Sequence, residues 1–260
     1  MNNKFYFLVA VFIFHINVCS QNINPFQPGE WFKYKITYSG IFKAGEATVE
    51  LTDGVVNNKM VFHAKMNARS TGPINLFFKV KDRYESYFTP EQIIPLKFIR
   101  DIDEGGYTKN LNILFDDNKS TATVIDFKKN KRMNFSTNTN AQDMVSVFYF
   151  LRRFFKMEDL NENNEISVNM FFDSENYVLK VKYLTSEFIN TTFGKIYCYK
   201  IQPYVQSGRV FKKDESLTMW ITADKNRIPI KMKANLLVGS VKIDLESFSS
   251  LTYPFEIQFD

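Results

Sequence analysis

The sequence predicts a mainly β protein in which one large, strongly curved antiparallel sheet or open barrel surrounds a single central α-helix. Two observations carry this prediction: period-two alternation of apolar and polar residues over most of the chain, and one stretch of helical periodicity near its middle. The alternating runs number roughly 13 to 15, more than an open sheet usually contains. So many strands must curl, close or split into two layers to avoid long exposed edges.

The first strands show the alternation clearly. Apolar side chains occupy every second position from Phe32 to Tyr38, and residues 45–49 can return antiparallel to them around Gly40. Residues 60–69 repeat the pattern, with one apolar and one polar face. A hairpin at Gly239-Ser240 is expected to set Ala234 against Leu245. Strands of this kind bury one face and expose the other.

A three-stranded meander is predicted around Gly105-Gly106, a two-residue hairpin signal. The turn that precedes its central strand is expected to place Tyr84 opposite Phe98 and Asp82 opposite Arg100. Asp82 and Arg100 both interrupt apolar faces, and a buried charge without a partner is costly. We therefore predict a cross-strand ion pair between them that fixes register or curvature, with ligand binding as the alternative.

The single helix is predicted over residues 143–156, with Thr139 and Gln142 as its capping box. Arg152 and Arg153 are interpreted as solvated cations that suit the last turns of the helix. No linker separates the halves of the chain, so a single domain is expected over residues 21–260, with β segments at 30–138 and 165–253. The apolar positions at helical spacing are Met144, Val147, Phe148, Leu151, Phe154 and Phe155.

The first 20 residues are interpreted as a secretory signal peptide. Residues 2–4 are a short cationic start, residues 5–14 are continuously apolar, and Val18-Cys19-Ser20 offers small residues before Gln21. Lipidation of Cys19 is disfavoured because Val18 is too large for a good lipobox. No later run reaches the ~18 apolar residues of a membrane-spanning helix. The sequence therefore predicts an exported protein without a membrane span.

The exported chain has few residues for catalysis. It keeps one cysteine, Cys198, and one histidine, His63, which lies on the polar face of its strand and is interpreted as solvated. A zinc site needs several such ligands, so no metal, no cofactor and no catalytic residue is predicted. Carboxylates alone could serve a glycosidase, although that signal is weak. The candidates are Asp82, Asp101, Asp103, Glu104 and Asp224.

The net charge of +5, from 33 Lys and Arg against 28 Asp and Glu, is too small to indicate nucleic-acid binding. The densest cationic run, residues 128–132, is interpreted as a solvated hairpin turn. Contact with an anionic headgroup or polysaccharide is the alternative for that turn.

Short motifs follow one another in a characteristic order along the chain. They include Gly29-Glu30, Gly45 with Ala47-Thr48, Lys81-Asp82-Arg83, Glu104-Gly105-Gly106-Tyr107, Phe148-Tyr149 with Leu151-Arg152, Gly208-Arg209-Val210-Phe211, Arg227-Ile228-Pro229 and Gly239-Ser240-Val241. The order of these motifs resembles the exported bacterial family called domain of unknown function 3108. This resemblance implies a β-rich envelope protein of Gram-negative bacteria, in the periplasm or associated with the outer membrane, without an established reaction.

The first functional hypothesis is a noncatalytic envelope protein that binds a lipid or another apolar ligand inside the curved sheet. Its fold is similar to that of periplasmic carriers that shelter acyl chains under a helical lid, an analogy that does not establish activity. The alternatives are a structural or protein-interaction module with a solid aromatic core and an envelope protein partner, and a carboxylate-dependent hydrolase. The residues expected to contact a ligand are Tyr84, Phe98, Phe148, Leu151 and Phe155.

Overall fold

The computed structural model describes residues 24–40, 42–155, 161–162, 164–205, 217–236 and 239–258. The predicted signal peptide, with Cys19, lies outside these residues. The described chain forms fourteen strands, two α-helices and a 3₁₀ turn at Asp117–Lys119. The helices are α1 (Ile74–Phe77) and α2 (Ser146–Phe154). The strands are β1 (Trp31–Tyr38), β2 (Phe42–Val56), β3 (Lys59–Ser70), β4 (Val80–Phe88), β5 (Pro95–Glu104), β6 (Tyr107–Asp116), β7 (Thr121–Asp126), β8 (Lys131–Ser136), β9 (Glu165–Phe172), β10 (Glu175–Thr191), β11 (Gly194–Val205), β12 (Leu217–Thr222), β13 (Pro229–Asn235) and β14 (Ser240–Ser249).

All fourteen strands form one antiparallel sheet, in the order β8-β7-β6-β5-β4-β3-β2-β1-β14-β13-β12-β11-β10-β9. Strands β1 to β8 are one meander and β9 to β14 are a second, because neighbours in the chain are also neighbours in the sheet. The pairing of β1 with β14 joins the two meanders. The predicted mainly β class, the large curved antiparallel sheet and the central helix are confirmed.

The two outer strands of the sheet, β8 and β9, are bridged by the segment between β8 and α2. The Gln142 amide donates to the Asn169 carbonyl at 2.8 Å, and the Phe171 amide donates to the Gln142 carbonyl at 2.9 Å. The side-chain amide of Asn176 donates to the Ser136 carbonyl at 2.9 Å. These contacts occupy backbone groups at the outer edges of the rolled sheet, which would otherwise be open to another chain.

Several predicted registers are correct. Phe32 lies opposite Val49 in the first hairpin, and Glu104 lies opposite Tyr107 around Gly105-Gly106. Both of these glycines have a positive φ, which a two-residue hairpin of this type requires. Short turns of defined geometry fix the register that follows them.

The predicted register of β4 against β5 is wrong by two residues. Tyr84 lies opposite Arg100, and Asp82 lies opposite Ile102. The cause is a tight turn after β4, in which Ile93 has a φ of 55°, together with a bulge at the end of the strand.

The register around the last hairpin also differs from the prediction. Ala234 lies opposite Val241 rather than Leu245. The Leu236 amide donates to the Gly239 carbonyl at 3.1 Å, so the hairpin is tighter than expected.

The described residues bury three clusters of apolar side chains. The first lies between β2 to β7 and α2 and contains fully buried rings, among them Phe88, Phe98 and Tyr149. The second is centred on Phe32 and the core side of β11 and β13. The third lies on β9 to β12 beside the end of α2. Helix α2 contacts all three clusters, and its position therefore decides which parts of the interior are filled.

Candidate functional site

The first feature of the interior is the seating of α2 on the inner face of the sheet. Tyr149 is completely buried, and its ring lies 4.9 Å from that of Phe26 and 5.2 Å from that of Phe88, centroid to centroid. Phe148 packs against both the first and the second cluster. Aromatic side chains bury large apolar areas and dominate the energetics of protein cores. These contacts fill the first cluster with the protein's own side chains.

The helix is anchored by an ion pair between Arg152 and Glu30. Nη1 and Nη2 of Arg152 donate to Oε1 and Oε2 of Glu30 at 2.5 and 2.8 Å. The guanidinium also donates to the carbonyls of Asn226 and Pro25, each at 2.9 Å. The side chains are only 2% and 0% exposed. Each guanidinium nitrogen and each carboxylate oxygen of the pair therefore has a hydrogen-bond partner, which is the condition under which buried charges are tolerated.

The interpretation of Arg152 as a solvated cation is therefore wrong. The last turn of α2 points this side chain inward, where its guanidinium lies 5.0 Å from the Phe148 ring and 5.2 Å from the Phe26 ring. Burial opposes the charge, but the attraction and hydrogen bonds of Glu30 outweigh it, so the pKa of Arg152 is raised. The sequence did hold a signal, because Arg152 shares a helix face with Val145 and Tyr149.

The start of α2 is fixed by Asp143 rather than by the predicted pair of Thr139 and Gln142. The Asp143 carboxylate accepts from the amides of Val145 and Ser146, both at 2.8 Å. It also accepts from the Ser86 hydroxyl at 2.6 Å, which ties the helix start to β4. Burial raises the pKa of Asp143 to about 6, although the hydrogen bonds from Ser86 and the helix lower it.

The side chains predicted to contact a ligand lie in two separate groups. Phe98 is fully buried in the first cluster, and Tyr84 and Phe148 pack against that cluster. Leu151 and Phe155 instead pack against the third cluster, at the far end of α2. The structure therefore does not bring the five side chains into one site.

Among the described residues, the third cluster has the fewest buried side chains of the three clusters. Its fully buried members are Val181, Ile201 and Ile221. Around them lie seven apolar or aromatic side chains that are only half-buried, which leaves an apolar surface beside the end of α2. These half-buried side chains are Leu151, Phe155, Ile166, Leu179, Tyr183, Tyr199 and Met219.

The predicted ion pair of Asp82 with Arg100 is not the one that the structure forms. Nη1 of Arg100 donates to Oδ1 of Asp173 in the β9–β10 turn at 2.6 Å, and its guanidinium stacks on the Phe172 ring at 4.7 Å. The register shift places Asp82 beside Glu104 instead. Burial, and then the repulsion from Glu104, raises the pKa of Asp82 to about 6. Arg100 thus links the two meanders across the interior.

A polar groove of about 610 Å³ lies on the other side of the first meander, near the ends of β2 to β6. Its charged side chains carry both signs, and Arg69 pairs with Glu46 while Arg83 pairs with Asp101. Internal pairing of this kind is typical of a solvated sheet surface.

His63 and Cys198, the side chains suited to nucleophilic catalysis, do not contact each other. His63 pairs with Glu85 at 2.8 Å and stacks on Tyr87, so it is a partnered side chain rather than a freely solvated one. Cys198 is fully buried, and burial raises the pKa of its thiol to about 12. Across the described ranges, no three His, Cys, Asp or Glu side chains gather in a way that could hold a metal ion. Within those ranges, no helix is long and apolar enough to span a bilayer.

A family model described as a protein of unknown function, DUF3108, matches residues 33–246. The chain belongs to the DUF3108 family. This confirms the resemblance inferred from the order of motifs. The comparison with curated proteins found no match.

Of the solved structures similar to this DUF3108 protein, the first below shows the fold alone. A β-barrel-like protein of domain of unknown function DUF1849 from Brucella abortus is 13% identical, with a TM-score of 0.54 over 84% of this chain and 96% of that one. A protein described as exported, with a YmcC-like fold, from Bacteroides fragilis is 9% identical, with a TM-score of 0.36 over 87% and 98%. A protein described as a lipoprotein from Parabacteroides distasonis is 11% identical, with a TM-score of 0.33 over 86% and 97%.

Proposed function

We propose that this DUF3108 protein is a noncatalytic envelope protein that holds an apolar or amphipathic ligand against the third cluster. The observation that supports this most directly is the set of half-buried apolar side chains beside the end of α2. Concave surfaces lined by apolar and aromatic groups with few polar ones are the usual binding sites for apolar ligands.

The position of α2 argues against a ligand in the first cluster. Phe98 and Tyr149 are completely buried there, and α2 is tied down at both ends by Asp143 and Arg152. A ligand at Phe98 would have to displace the helix and break the buried ion pair. A ligand at Leu151 and Phe155 would need neither change.

Among the described residues, polar side chains next to the third cluster are paired with one another. The Tyr183 hydroxyl and the Ser186 hydroxyl are hydrogen-bonded to each other at 2.7 Å. The neighbouring lysine on β10, Lys180, pairs with Glu165 away from the cluster. An acyl chain or a similar apolar group can therefore contact the cluster without removing an unpaired charge from water.

We assign the protein to the envelope of a Gram-negative bacterium, in the periplasm or at the outer membrane. The signal-like first 20 residues support export, and the envelope is the compartment that the resemblance of the motifs implies.

Native mass spectrometry of protein purified from its own envelope tests the proposal. We expect an adduct of lipid mass on the unchanged protein and a several-fold smaller fraction of adduct on Leu179→Gln, because this substitution puts an amide into the apolar surface. Lys180→Gln, one residue along the same strand, is the matched control and should keep the adduct. An unchanged protein that carries no adduct, or an adduct equally abundant in both variants, contradicts the proposal.

A second candidate function is a structural or interaction module, which the solid packing of the first cluster favours. In that case the aromatic side chains serve stability alone, and binding takes place on the outer surfaces of the sheet. Native mass spectrometry distinguishes the two functions, because a structural or interaction module should show the mass of the protein without an adduct.

A further inference from the structure

Five of the hairpins at one end of the strands lie side by side, and this end is called the edge below. They join β7 to β8, β5 to β6, β3 to β4, β1 to β2 and β13 to β14, which are consecutive pairs in the strand order. Neighbouring hairpins are hydrogen-bonded to one another: the Gly105 amide donates to the Lys79 carbonyl at 2.8 Å, and the Ser39 amide donates to the Ser240 carbonyl at 2.7 Å. Thr71 and Ala44 make a similar bond at 2.9 Å. The hairpins therefore form one continuous edge.

This edge carries exposed apolar side chains at the turn of every one of these five hairpins. Leu76 and Phe77 of α1 are 82% and 89% exposed, which is unusual for large apolar residues. Single exposed apolar residues need no explanation, but a row of them along one edge marks an interaction surface. We call this set the hairpin rim: Phe42, Leu76, Phe77, Phe78, Tyr107, Phe127 and Leu236.

Cations follow the apolar residues of the rim in the chain. Lys79 follows Phe78 directly, Lys109 follows Tyr107 by two residues, and residues 128–132 follow Phe127 with four cations. Lys43 and Lys109 are paired with Glu46 and Asp173.

The remaining cations of the rim lack a neutralising carboxylate. Within the described part of the chain, no carboxylate lies within ion-pair distance of Lys79, Lys128, Lys129, Lys131 or Arg132. The one acidic side chain in that turn, Asp126, accepts from the backbone amides of Lys128 and Lys129, both at 3.0 Å. The rim thus combines apolar tips with an excess of positive charge over the carboxylates Asp103 and Glu104 of the β5–β6 hairpin and Asp126 of the β7–β8 turn.

We propose that the hairpin rim docks on the surface of an anionic phospholipid bilayer. Aromatic and aliphatic tips insert at the level of the headgroups, while adjacent lysines contact lipid phosphates. The positive charge selects this occupant, since a purely apolar protein surface would leave the lysines desolvated and unpaired. Docking of this kind concerns the outside of the sheet edge and is independent of a ligand at the third cluster.

Co-sedimentation with vesicles tests the proposal, using the intact protein and two lipid compositions. We expect binding to vesicles of phosphatidylglycerol and phosphatidylethanolamine, and binding weaker by roughly tenfold or more to phosphatidylcholine vesicles and at high salt. Leu76→Ser with Phe77→Ser should abolish most of the binding, and so should Lys128→Glu with Lys129→Glu. Leu76 and Phe77 lie in the short helix α1, Lys128 and Lys129 lie in a turn, and all four are exposed, so unchanged thermal unfolding verifies that the variants are folded.

The opposite edge of the sheet offers matched controls. Val55 and Met60 are 62% and 66% exposed in the β2–β3 hairpin, so Val55→Ser with Met60→Ser removes exposed apolar surface there. Lys59→Glu with Lys119→Glu at that end makes the same change of charge as the double lysine variant of the rim. Both control variants should bind vesicles like the unchanged protein.

A fluorescence measurement gives a second readout that does not depend on loss of binding. Phe77→Trp should show a blue shift of emission on phosphatidylglycerol vesicles, and Val55→Trp should not. The proposal is overturned if the unchanged protein ignores anionic vesicles, if both edges respond alike, or if the rim variants alter only self-association. Loss of a co-purified ligand in Leu179→Gln with vesicle binding intact would separate the rim from the third cluster.

Discussion

Arg152 near the end of α2 and Glu30 just before β1 form a two-pronged, almost fully buried ion pair. The partners are 122 residues apart in the chain, so the pair fixes the helix to the start of the first strand. Arg227 adds a hydrogen bond from its guanidinium to the Arg152 carbonyl at 2.9 Å. The position of α2 inside the sheet therefore depends on one charged contact as well as on aromatic packing.

Replacing one member of this pair should destabilise the protein strongly. Arg152→Met leaves Glu30 buried without its counter-ion, and we expect a loss of about 3–5 kcal/mol in the free energy of unfolding measured with urea. The double change of Arg152→Met with Glu30→Leu should lose less, because no lone charge is left in the core. Arg153→Met is the control and should cost less than about 1 kcal/mol. A double variant less stable than Arg152→Met would contradict this account.

Stability should depend on pH through Asp143. Its folded-state pKa of about 6 lies above its ordinary 3.8, so the folded protein binds the proton more tightly than the unfolded chain does. The free energy of unfolding should therefore fall as pH rises from about 4 to about 6, by about 3 kcal/mol from this group. Urea unfolding of the unchanged protein and of Asp143→Asn across this range isolates the contribution. An identical pH profile in the two proteins would remove Asp143 as the cause.

Cys198 should be unreactive in the folded protein. Burial, followed by the negative charge of Asp224, raises the pKa of the thiol to about 12, and the side chain is inaccessible. In the chain beginning at Gln21, labelling by a thiol reagent should follow the rate of unfolding, whereas an added Lys59→Cys at the exposed start of β3 should react at once. Rapid labelling of Cys198 under native conditions would show that its environment is open.

The contact between Arg100 and Asp173 should appear as a coupling energy. In a double-mutant cycle of Arg100→Met and Asp173→Ala, we expect a coupling of about 1 kcal/mol, since Asp173 is partly exposed. The cycle of Arg100→Met with Asp82→Ala should give a smaller value, because these residues are not paired. The reverse order would favour the register predicted from sequence.

Much of the sheet could be predicted because short turns and alternation act locally. The positive φ of Gly105 and Gly106 and the alternation from Phe32 to Tyr38 lead directly to the observed registers. The register of β4 against β5 could not be predicted in the same way. A left-handed Ile93 and a bulge after Tyr87 leave no mark in the hydrophobic pattern.

The interior could be predicted only in part. Helical periodicity, which is a local signal, predicts that Phe148 and Leu151 face inward. The role of Arg152 depends on Glu30 and on a carbonyl of Asn226, both far away in the chain. The helix dipole alone accounts for a cation in the last turn of a helix. The sequence therefore gives no separate reason to expect a distant partner for Arg152.

The pairing of β1 with β14 has a consequence for synthesis and truncation. The sheet can be completed only after the ribosome has produced its final strand, and until then β1 and β13 each present bare backbone to other chains. A chain cut short before residue 240 would lose a central strand of the sheet and not an edge strand. It would lose the pairing at the centre of the sheet and leave two meanders with unpaired central strands, held together by α2, the bridge between β8 and β9 and the contact of Arg100 with Asp173.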